Sequence, residues 1–327
     1  MGYRVQREEF GQLEQEWREC LAGRRPAYPF LSPAWLRLWW NEFGGARELL
    51  LLSVRQDERL AGILPLMRDG GRLTFAGDTQ VCDYMDLISR DGVPVDAVLT
   101  ALFRALSEEP WEAIELWGLR DDSPTFAALP AVCAELGWSV QSEPEDVCPQ
   151  ISLPGSWEEY LETLAKKNRH ELRRKLRKLS QGGEVELEVL EAPAQIDDAL
   201  DDFVRMHKLS RTEKAEFMTE TMERFFRRIV AALAAERFAE MIFLRLGGRR
   251  VASVLCFRAG DELLLYNSGY DPLFAGLSVG LLSKALALKQ AIDLGSKRFD
   301  FLRGAERYKY ELGAQDLAVR RCLIRRT

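Results

Sequence analysis

The most regular hydrophobic pattern of the chain lies between Glu240 and Gly269. Three apolar runs, MIFLRL, RRVASVLCFR and ELLLYNSGY, are separated by two short glycine-containing turns. Runs of this length between such turns predict three antiparallel strands joined as hairpins. A short loop at 271–276 then leads into a helical pattern that runs from Leu277 to Gly295, and the strand RFDFLRG follows. The predicted order is strand, strand, strand, helix, strand.

The first half of the chain repeats this order. Residues 48–77 have the plan of residues 240–269, and WEAIELWGL (111–119) corresponds to KRFDFLRG (297–304). Two helical patterns precede each set of strands, at 13–21 and 33–43 in the first half and at 196–208 and 219–237 in the second. A period of roughly 190 residues is that of a duplicated domain. The prediction is an α/β protein of the α+β type, with two domains at 1–150 and 151–327, each a mostly antiparallel twisted sheet flanked by helices. The last strand is a candidate to pack on the first domain.

The two copies differ where their helices begin. In the second copy the helix opens at Leu277, Ser278, Val279 and Gly280, so uncharged residues surround the free N–H groups that attract an anion. In the first copy Asp96 stands at this point and would repel a phosphate. The second copy is therefore predicted to bind an anionic cofactor, and the first to be degenerate. The preceding strand ends in Asn267, Ser268 and Gly269, and its backbone N–H groups are candidate cofactor contacts, with glycine permitting a local distortion.

A strongly basic connecting helix is predicted at 157–180. One stripe at helical spacing is mostly apolar and consists of Leu161, Ala165, Asn168, Leu172, Leu176 and Leu179. The other faces carry eight cations, namely Lys166, Lys167, Arg169, Arg173, Arg174, Lys175, Arg177 and Lys178. A solvated amphipathic helix is one interpretation. The other is an anion-binding face for CoA phosphates, an anionic substrate, a membrane surface or RNA, with Arg173, Arg174 and Arg177 as candidate substrate-binding residues.

Composition narrows the choice of function. The net charge of −6 argues against a dedicated nucleic-acid binder. The two histidines, His170 and His207, lie far apart in sequence, so no metal is expected, and His207 is predicted to be exposed or to cap a helix end. The six cysteines show no CxxC spacing and are predicted to be buried free thiols. No apolar run approaches the ~20 residues of a membrane span, so a cytoplasmic protein without a transmembrane segment is expected.

Four segments resemble one branch of the GNAT-fold acyltransferase superfamily, the Fem-like and CelD-type acetyltransferase-domain proteins. They are YNSGYDP, LSVGLLSKALALKQAIDLG, RFDFLRG and YKYELG, and the basic stretch AKKNRHELRRKLRKL is also typical of the CelD-type proteins. The resemblance implies tandem GNAT-like domains, the second of which binds acetyl-CoA or another acyl-CoA as co-substrate. It also implies acyl transfer to an amine or hydroxyl acceptor, a small molecule or a glycan, in envelope polysaccharide or cell-wall metabolism.

The segment YKYELG further resembles the F-K-x-x-F-G element of Fem-like transferases, although Leu312 replaces the second aromatic residue. The resemblance implies that Lys309 lies near the transferred acyl group and stabilises negative charge. Asp300, on the strand face opposite Phe299 and Phe301, is a candidate base or an arginine-paired structural carboxylate. Tyr308 is a candidate acid or a packing aromatic.

Two alternatives to an acyl-CoA-dependent transferase stay open. A Fem-type enzyme would use aminoacyl-tRNA as donor, against which the acidic net charge counts. A non-catalytic tandem-GNAT protein would instead bind an anionic partner through the basic helix.

Overall fold

The structure is a computed structural model that describes residues 2–23 and 26–326. The chain divides into two compact units, the first comprising Met1–Val147 with Leu317–Thr327 and the second Cys148–Asp316. Each unit contains strands and helices in the order that the hydrophobic pattern predicts. The final strand belongs to the first unit from Leu317 onwards.

The elements up to residue 152 are β1 (Tyr3–Glu8), α1 (Phe10–Gly23), α2 (Pro33–Phe43), β2 (Glu48–Gln56), β3 (Arg59–Asp69), β4 (Arg72–Phe75), β5 (Ile88–Ser89), α3 (Val95–Ser107), β6 (Ala113–Arg120), α4 (Pro124–Glu135) and β7 (Trp138–Ser152). The remaining elements are α5 (Trp157–Thr163), α6 (Lys166–Gln181), β8 (Val185–Leu190), α7 (Pro193–Ser210), α8 (Thr212–Phe217), α9 (Glu220–Ala235), β9 (Ala239–Leu246), β10 (Arg249–Ala259), β11 (Glu262–Tyr270), α10 (Val279–Asp293), β12 (Arg298–Asp300), α11 (Arg307–Glu311) and β13 (Gln315–Arg326). Short 3-10 helices lie at Pro29–Leu31 and Pro272–Leu277.

In the first unit the sheet has the strand order β1-β2-β3-β4-β6-β13. Strand β4 is parallel to β6, whereas the other neighbours along this order are antiparallel. The registered pairs of β4 with β6 end at Thr74 and Glu115. Beyond them, Met85 donates its N–H to the Gly118 carbonyl at 3.0 Å, and the side chains of segment 81–87 are largely buried. This segment therefore fills the space beside β6 that β4 has left.

In the second unit the sheet has the order β8-β9-β10-β11-β12, followed by residues 150–152 of β7. All neighbours are antiparallel except β11 and β12, which are parallel. Among the described residues, β11 pairs with β12 only from Glu262 to Leu264. The register between β10 and β11 then shifts between Leu265 and Asn267, which marks a β-bulge at Tyr266. The bulge lies where β11 leaves β12, so the strand ends splay apart.

Helices flank the second unit's sheet. Apolar residues of α5, α6 and α10 share one core cluster with β-strand residues such as Ile242 and Val254. Helices α7 and α9 also pack on β9, β10 and β11, and α7 lies closest to β11. This mixed α/β architecture, with mostly antiparallel sheets between helices, confirms the predicted fold class.

Most predicted elements agree with the structure, but the basic helix does not. A single helix over 157–180 was predicted, whereas α5 and α6 are separated at Leu164 and Ala165, whose backbone is not helical (ψ 141° and 138°). Leu164 is buried and joins the core cluster. Leu172 and Leu179 of the predicted stripe are buried, while Ala165 is exposed at the start of α6.

Candidate functional site

A pocket of about 330 Å³ opens at the splay of β11. Its walls come from β11, the first turn of α10, the segment around α8, and α11. The lining residues are Lys175, Ser210, Arg211, Lys214, Ser268, Tyr270, Ala275, Ser278, Val279, Gly280, Leu281, Lys284, Glu306 and Tyr308. All of them belong to the second unit.

The first turn of α10 offers free N–H groups to this pocket. Ser278 precedes the helix in the left-handed conformation (φ 57°), and its side chain makes no capping hydrogen bond. The first N–H groups of any helix lack an intrahelical acceptor, so those of Val279 and Gly280 remain available for an anion. Three of the four residues predicted here line the pocket, whereas the side chain of Leu277 packs against the hydrophobic core.

Four cations line the pocket, Lys175, Arg211, Lys214 and Lys284, against one carboxylate, Glu306. Burial, together with the neighbouring Lys214 and Arg211, lowers the pKa of Lys284 to about 7. Burial and the nearby Arg211 lower the pKa of Lys214 to about 8. This surplus of positive charge indicates an anionic ligand. Sequence reasoning missed Arg211, Lys214, Lys284 and Glu306, although a lysine inside the apolar pattern of α10 was a usable signal for Lys284.

The two buried lysines also hold the pocket's backbone. Lys284 donates from Nζ to the Gly280 carbonyl at 2.6 Å, and its Nζ lies 5.1 Å from the centroid of the Tyr308 ring. Lys214 donates from Nζ to the Ser268 carbonyl. The cations therefore fix the start of α10 and the end of β11 at the same time.

The three residues predicted at the end of β11 have different surroundings: one lines the pocket, and the other two contact α7. Ser268 lines the pocket, while the Asn267 Oδ1 accepts hydrogen bonds from His207 Nε2 at 2.8 Å and from the Ser268 N–H at 3.2 Å. A Cβ on Gly269 would lie 2.3 Å from the backbone nitrogen of His207. The glycine is therefore required by the close approach of α7, and the local distortion of the strand lies at Tyr266 instead.

The environment of His207 differs from the prediction that this residue is exposed or caps a helix end. Its side chain is buried, and its Nδ1 has no hydrogen-bond partner within residues 2–23 and 26–326. Burial, reinforced by the charge of Lys214, lowers the pKa of the imidazole to about 4. His207 is therefore uncharged at neutral pH.

Asp300 and Lys309 meet at one loop rather than in the pocket. The Asp300 carboxylate is fully buried and accepts from the Leu302 N–H at 2.7 Å. Lys309, also buried, donates from Nζ to the carbonyl of Leu302 at 2.9 Å and to those of Arg303 and Gly304 at 2.7 and 2.8 Å. Leu302 is left-handed, with φ 56°. The two side chains thus hold the backbone of a strained turn, and their catalytic roles stay predictions.

Tyr308 is the predicted catalytic residue that lines the pocket. Burial raises the pKa of its phenol, and the nearby Glu306 adds to the shift. The hydroxyl therefore keeps its proton at neutral pH. Its ring also contacts Phe301 edge to face at 6.0 Å, so Tyr308 combines packing with access to the pocket.

The outer face of α6 lies apart from the pocket lining. Arg173 pairs with Glu158 at 3.2 Å and Arg174 with Glu171 at 2.7 Å. Arg177 is exposed and has no ion pair among the described side chains. In the same helix Lys175 reaches the pocket. Substrate binding by the three arginines stays a prediction.

The cysteines, candidate metal ligands and apolar helices add no further site among the described residues. The six cysteines are buried and free, as predicted. No group of three or more metal-ligating side chains occurs in the described part of the chain. None of the helices described combines the length and apolar character that a membrane crossing requires.

Part of the chain matches a known family model, and its fold is similar to several solved structures. Residues 166–310 match the family model described as an acetyltransferase (GNAT) domain. The structure is similar to the crystal structure of FemX, with a TM-score of 0.66 and 14% identity over 98% of this chain and 96% of that chain. It is also similar to the C-terminal domain of a putative lysylphosphatidylglycerol synthetase from Agrobacterium fabrum, with a TM-score of 0.62 and 9% identity over 96% and 92% of the two chains. For L-PGS from Bacillus licheniformis the TM-score is 0.55, with 13% identity over 89% and 90%. No curated protein sequence matches the chain.

Proposed function

Because residues 166–310 form a GNAT acetyltransferase domain and the whole chain has the Fem-like fold, we propose that this transferase takes an acyl group from acetyl-CoA or another acyl-CoA. The domain supports transfer of an acyl or aminoacyl group, and the choice of acyl-CoA is the proposal. The acceptor is an amine or hydroxyl of a small molecule or a glycan, and the enzyme acts in the cytoplasm on envelope or cell-wall precursors.

The observation that carries the proposal is the cationic pocket at the uncapped start of α10. A pyrophosphate needs backbone N–H donors and compensating positive charge within a few ångströms. Val279 and Gly280 supply the N–H groups, and Lys175, Arg211, Lys214 and Lys284 supply the charge. The thioester end of the donor then lies beside the splayed end of β11, where Ser268 lines the pocket.

The chemistry requires one bond to form and one to break. The acceptor nitrogen or oxygen attacks the thioester carbonyl, the carbon–sulfur bond breaks, and the thiolate leaves with the bonding electrons. Tyr308 donates its hydroxyl proton to the leaving sulfur, and a protonated Lys284 near the ring stabilises the resulting phenolate. Solvent returns a proton to Tyr308 after the products leave.

The acceptor's proton passes to a carboxylate, which releases it to solvent after the products leave. We assign this role to Glu306, because Glu306 lines the pocket and Asp300 is enclosed by the protein. Asp300 and Lys309 are then positioning residues, which hold the turn at Leu302 between β12 and α11. In the sequence-based alternative, Asp300 is the base and Lys309 stabilises the developing charge.

The exposed basic face of α6 favours a second donor, an aminoacyl-tRNA. Arg177 is exposed there, and it follows a run of cations that would suit an RNA backbone. Two observations favour acyl-CoA instead: Arg173 and Arg174 are paired with glutamates, and the net charge of the chain is −6. A protein that only binds an anion through this face, without transferring an acyl group, is the remaining alternative.

Calorimetry of the full chain with CoA, acetyl-CoA and longer acyl-CoAs tests the donor. Replacing Lys175 and Arg211 together by Gln should weaken CoA binding at least about tenfold, since each charge-assisted contact contributes roughly 1.5–3 kcal/mol. Arg177→Gln, on the outer face of the same helix, is the matched control and should change the Kd by less than about twofold. Absence of CoA binding, with aminoacyl-tRNA bound and weakened by Arg177→Gln, would establish the tRNA alternative. CoA binding without transfer from any acyl-CoA would leave the protein a binding module.

A further inference from the structure

His207 is a buried titratable residue for which the proposed chemistry has no use. It lies in the last turn of α7, stacked on Phe203 with ring centroids 6.1 Å apart. Its contact with Asn267 joins two residues separated by 60 positions in sequence. Asn267 in turn belongs to the part of β11 that has left β12.

The hydrogen bonds define which tautomer the imidazole adopts. Nδ1 is buried without a partner in the described structure. A proton on Nδ1 would leave a buried donor unpaired and Nε2 without a hydrogen to donate. Placing the proton on Nε2 lets the ring donate to the Asn267 Oδ1 at 2.8 Å. The histidine therefore fixes the orientation of the Asn267 amide.

The same Asn267 oxygen accepts the N–H of Ser268, at 3.2 Å, while the Ser268 carbonyl accepts from Lys214. Both backbone polar groups of Ser268 are thus held by side chains, beyond the point where β12 could pair with the strand. Ser268 is a wall of the pocket. Its backbone geometry there depends on α7 and α8.

We propose that His207 is a positioning residue of the transferase site: through the Asn267 amide it holds the Ser268 backbone, and with it the pocket wall beside the first turn of α10, in place. Only the effect of this positioning on acyl transfer rests on the proposed function. The positioning of Ser268 itself is a property of the unliganded protein and can be measured without a substrate.

The surroundings of His207 favour the uncharged ring. The charges that act on it are those of Lys214 on α8 and Lys208 on α7, and Lys208 is paired with Glu223 of α9. Both neighbouring lysines oppose a proton on the imidazole. The ring is therefore uncharged throughout the neutral range, and its single proton, on Nε2, is donated to Asn267.

Amide hydrogen exchange of the full chain, followed by NMR, tests the positioning directly. His207→Leu removes the donor and should accelerate exchange at Ser268 about tenfold, with Val254 on the neighbouring strand as reference amide. His207→Gln retains an N–H donor and should restore Ser268 to within about threefold of the wild-type rate. Adding Asn267→Ala to His207→Leu should produce no acceleration beyond that of Asn267→Ala alone, because the two residues act in series.

Steady-state kinetics with the acyl-CoA donor provide the second readout. His207→Leu should lower kcat about tenfold while the KM for the donor changes less than about threefold, and His207→Gln should recover most of kcat. An unchanged Ser268 exchange rate in His207→Leu, or a His207→Gln variant that behaves like His207→Leu, would overturn the proposal. If Ser268 responds as expected but no acyl-CoA supports turnover, the positioning role holds and the proposed donor fails.

Discussion

Two carboxylates near Tyr308 differ in their access to the pocket, and this difference gives a residue-level prediction. Glu306 lines the pocket, whereas Asp300 is enclosed and bonded to the Leu302 N–H. Glu306→Gln and Tyr308→Phe should each lower kcat by about 10²–10⁴-fold, the contribution of general acid–base catalysis, with CoA affinity little changed. Asp300→Asn should mainly lower stability.

Steady-state kinetics and thermal unfolding of the three variants separate these roles. A loss of kcat in Asp300→Asn at unchanged melting temperature would show that Asp300, rather than Glu306, is the general base. The same result in a Lys309→Met variant would show that turnover needs this lysine, whose Nζ lies 2.9 Å from the Glu306 carboxylate. An unaltered kcat in Glu306→Gln would exclude Glu306 as the base.

The two buried lysines of the pocket predict a pH dependence of donor binding. The pKa of Lys284 is lowered to about 7 and that of Lys214 to about 8, so both lose charge as the pH rises through 7 and 8. A bound pyrophosphate favours the charged lysines, and raising one pKa by one unit corresponds to about 1.4 kcal/mol. CoA affinity should therefore be greatest below pH 7 and fall about tenfold by pH 9.

Calorimetry in two buffers of different ionisation enthalpy measures this linkage. Binding at pH 7.5 should take up protons, and Lys284→Met should reduce the uptake. Affinity that rises with pH, or binding without proton uptake, would contradict an anion site built on these two lysines.

At the scale of elements, the close approach of α7 and β11 depends on Gly269. A Cβ at this position would lie 2.3 and 2.4 Å from backbone atoms of His207 and Met206, which cannot rotate away. Gly269→Ala should therefore force the helix from the strand and destabilise the protein by about 1–3 kcal/mol. Gly276→Ala is the matched control, because a Cβ there meets no atom within 4 Å.

Denaturant unfolding of the full chain measures both glycine variants. Because the helix carries His207, Gly269→Ala should also accelerate amide exchange at Ser268. Equal stability of the two variants would show that α7 accommodates the methyl group without cost.

At the scale of the whole molecule, the difference between the two units predicts one donor site per chain. In the second unit the splay between β11 and β12 is open, whereas in the first unit segment 81–87 fills the corresponding space beside β6. The first unit also places Asp96 in the first turn of α3. Calorimetric titration with CoA should therefore give a stoichiometry close to one. Two equivalent sites would contradict the assignment of the first unit as degenerate.

The sequence by itself determined the order of the elements and the start of α10. Alternation and helical spacing depend on which faces are buried, so they are readable from consecutive residues such as those of β9 to β11. Ser278, Val279 and Gly280 could be placed at the helix start for the same reason, because a helix start is a local feature, and their binding of a cofactor stays a prediction. Four segments indicated a resemblance to Fem-like GNAT proteins, and residues 166–310 match the model of an acetyltransferase (GNAT) domain.

Only the tertiary structure decided which side chains meet around that helix start. Lys175, Arg211 and Glu306 come from three separate segments, and no local pattern relates them. Tertiary packing also enclosed Asp300 and buried His207, and His207 had been predicted to be exposed or to cap a helix end. The local spacing of apolar residues indicates which face of its own helix or strand a residue occupies. The pKa of a side chain and its access to a ligand depend instead on the neighbours that folding brings from elsewhere in the chain.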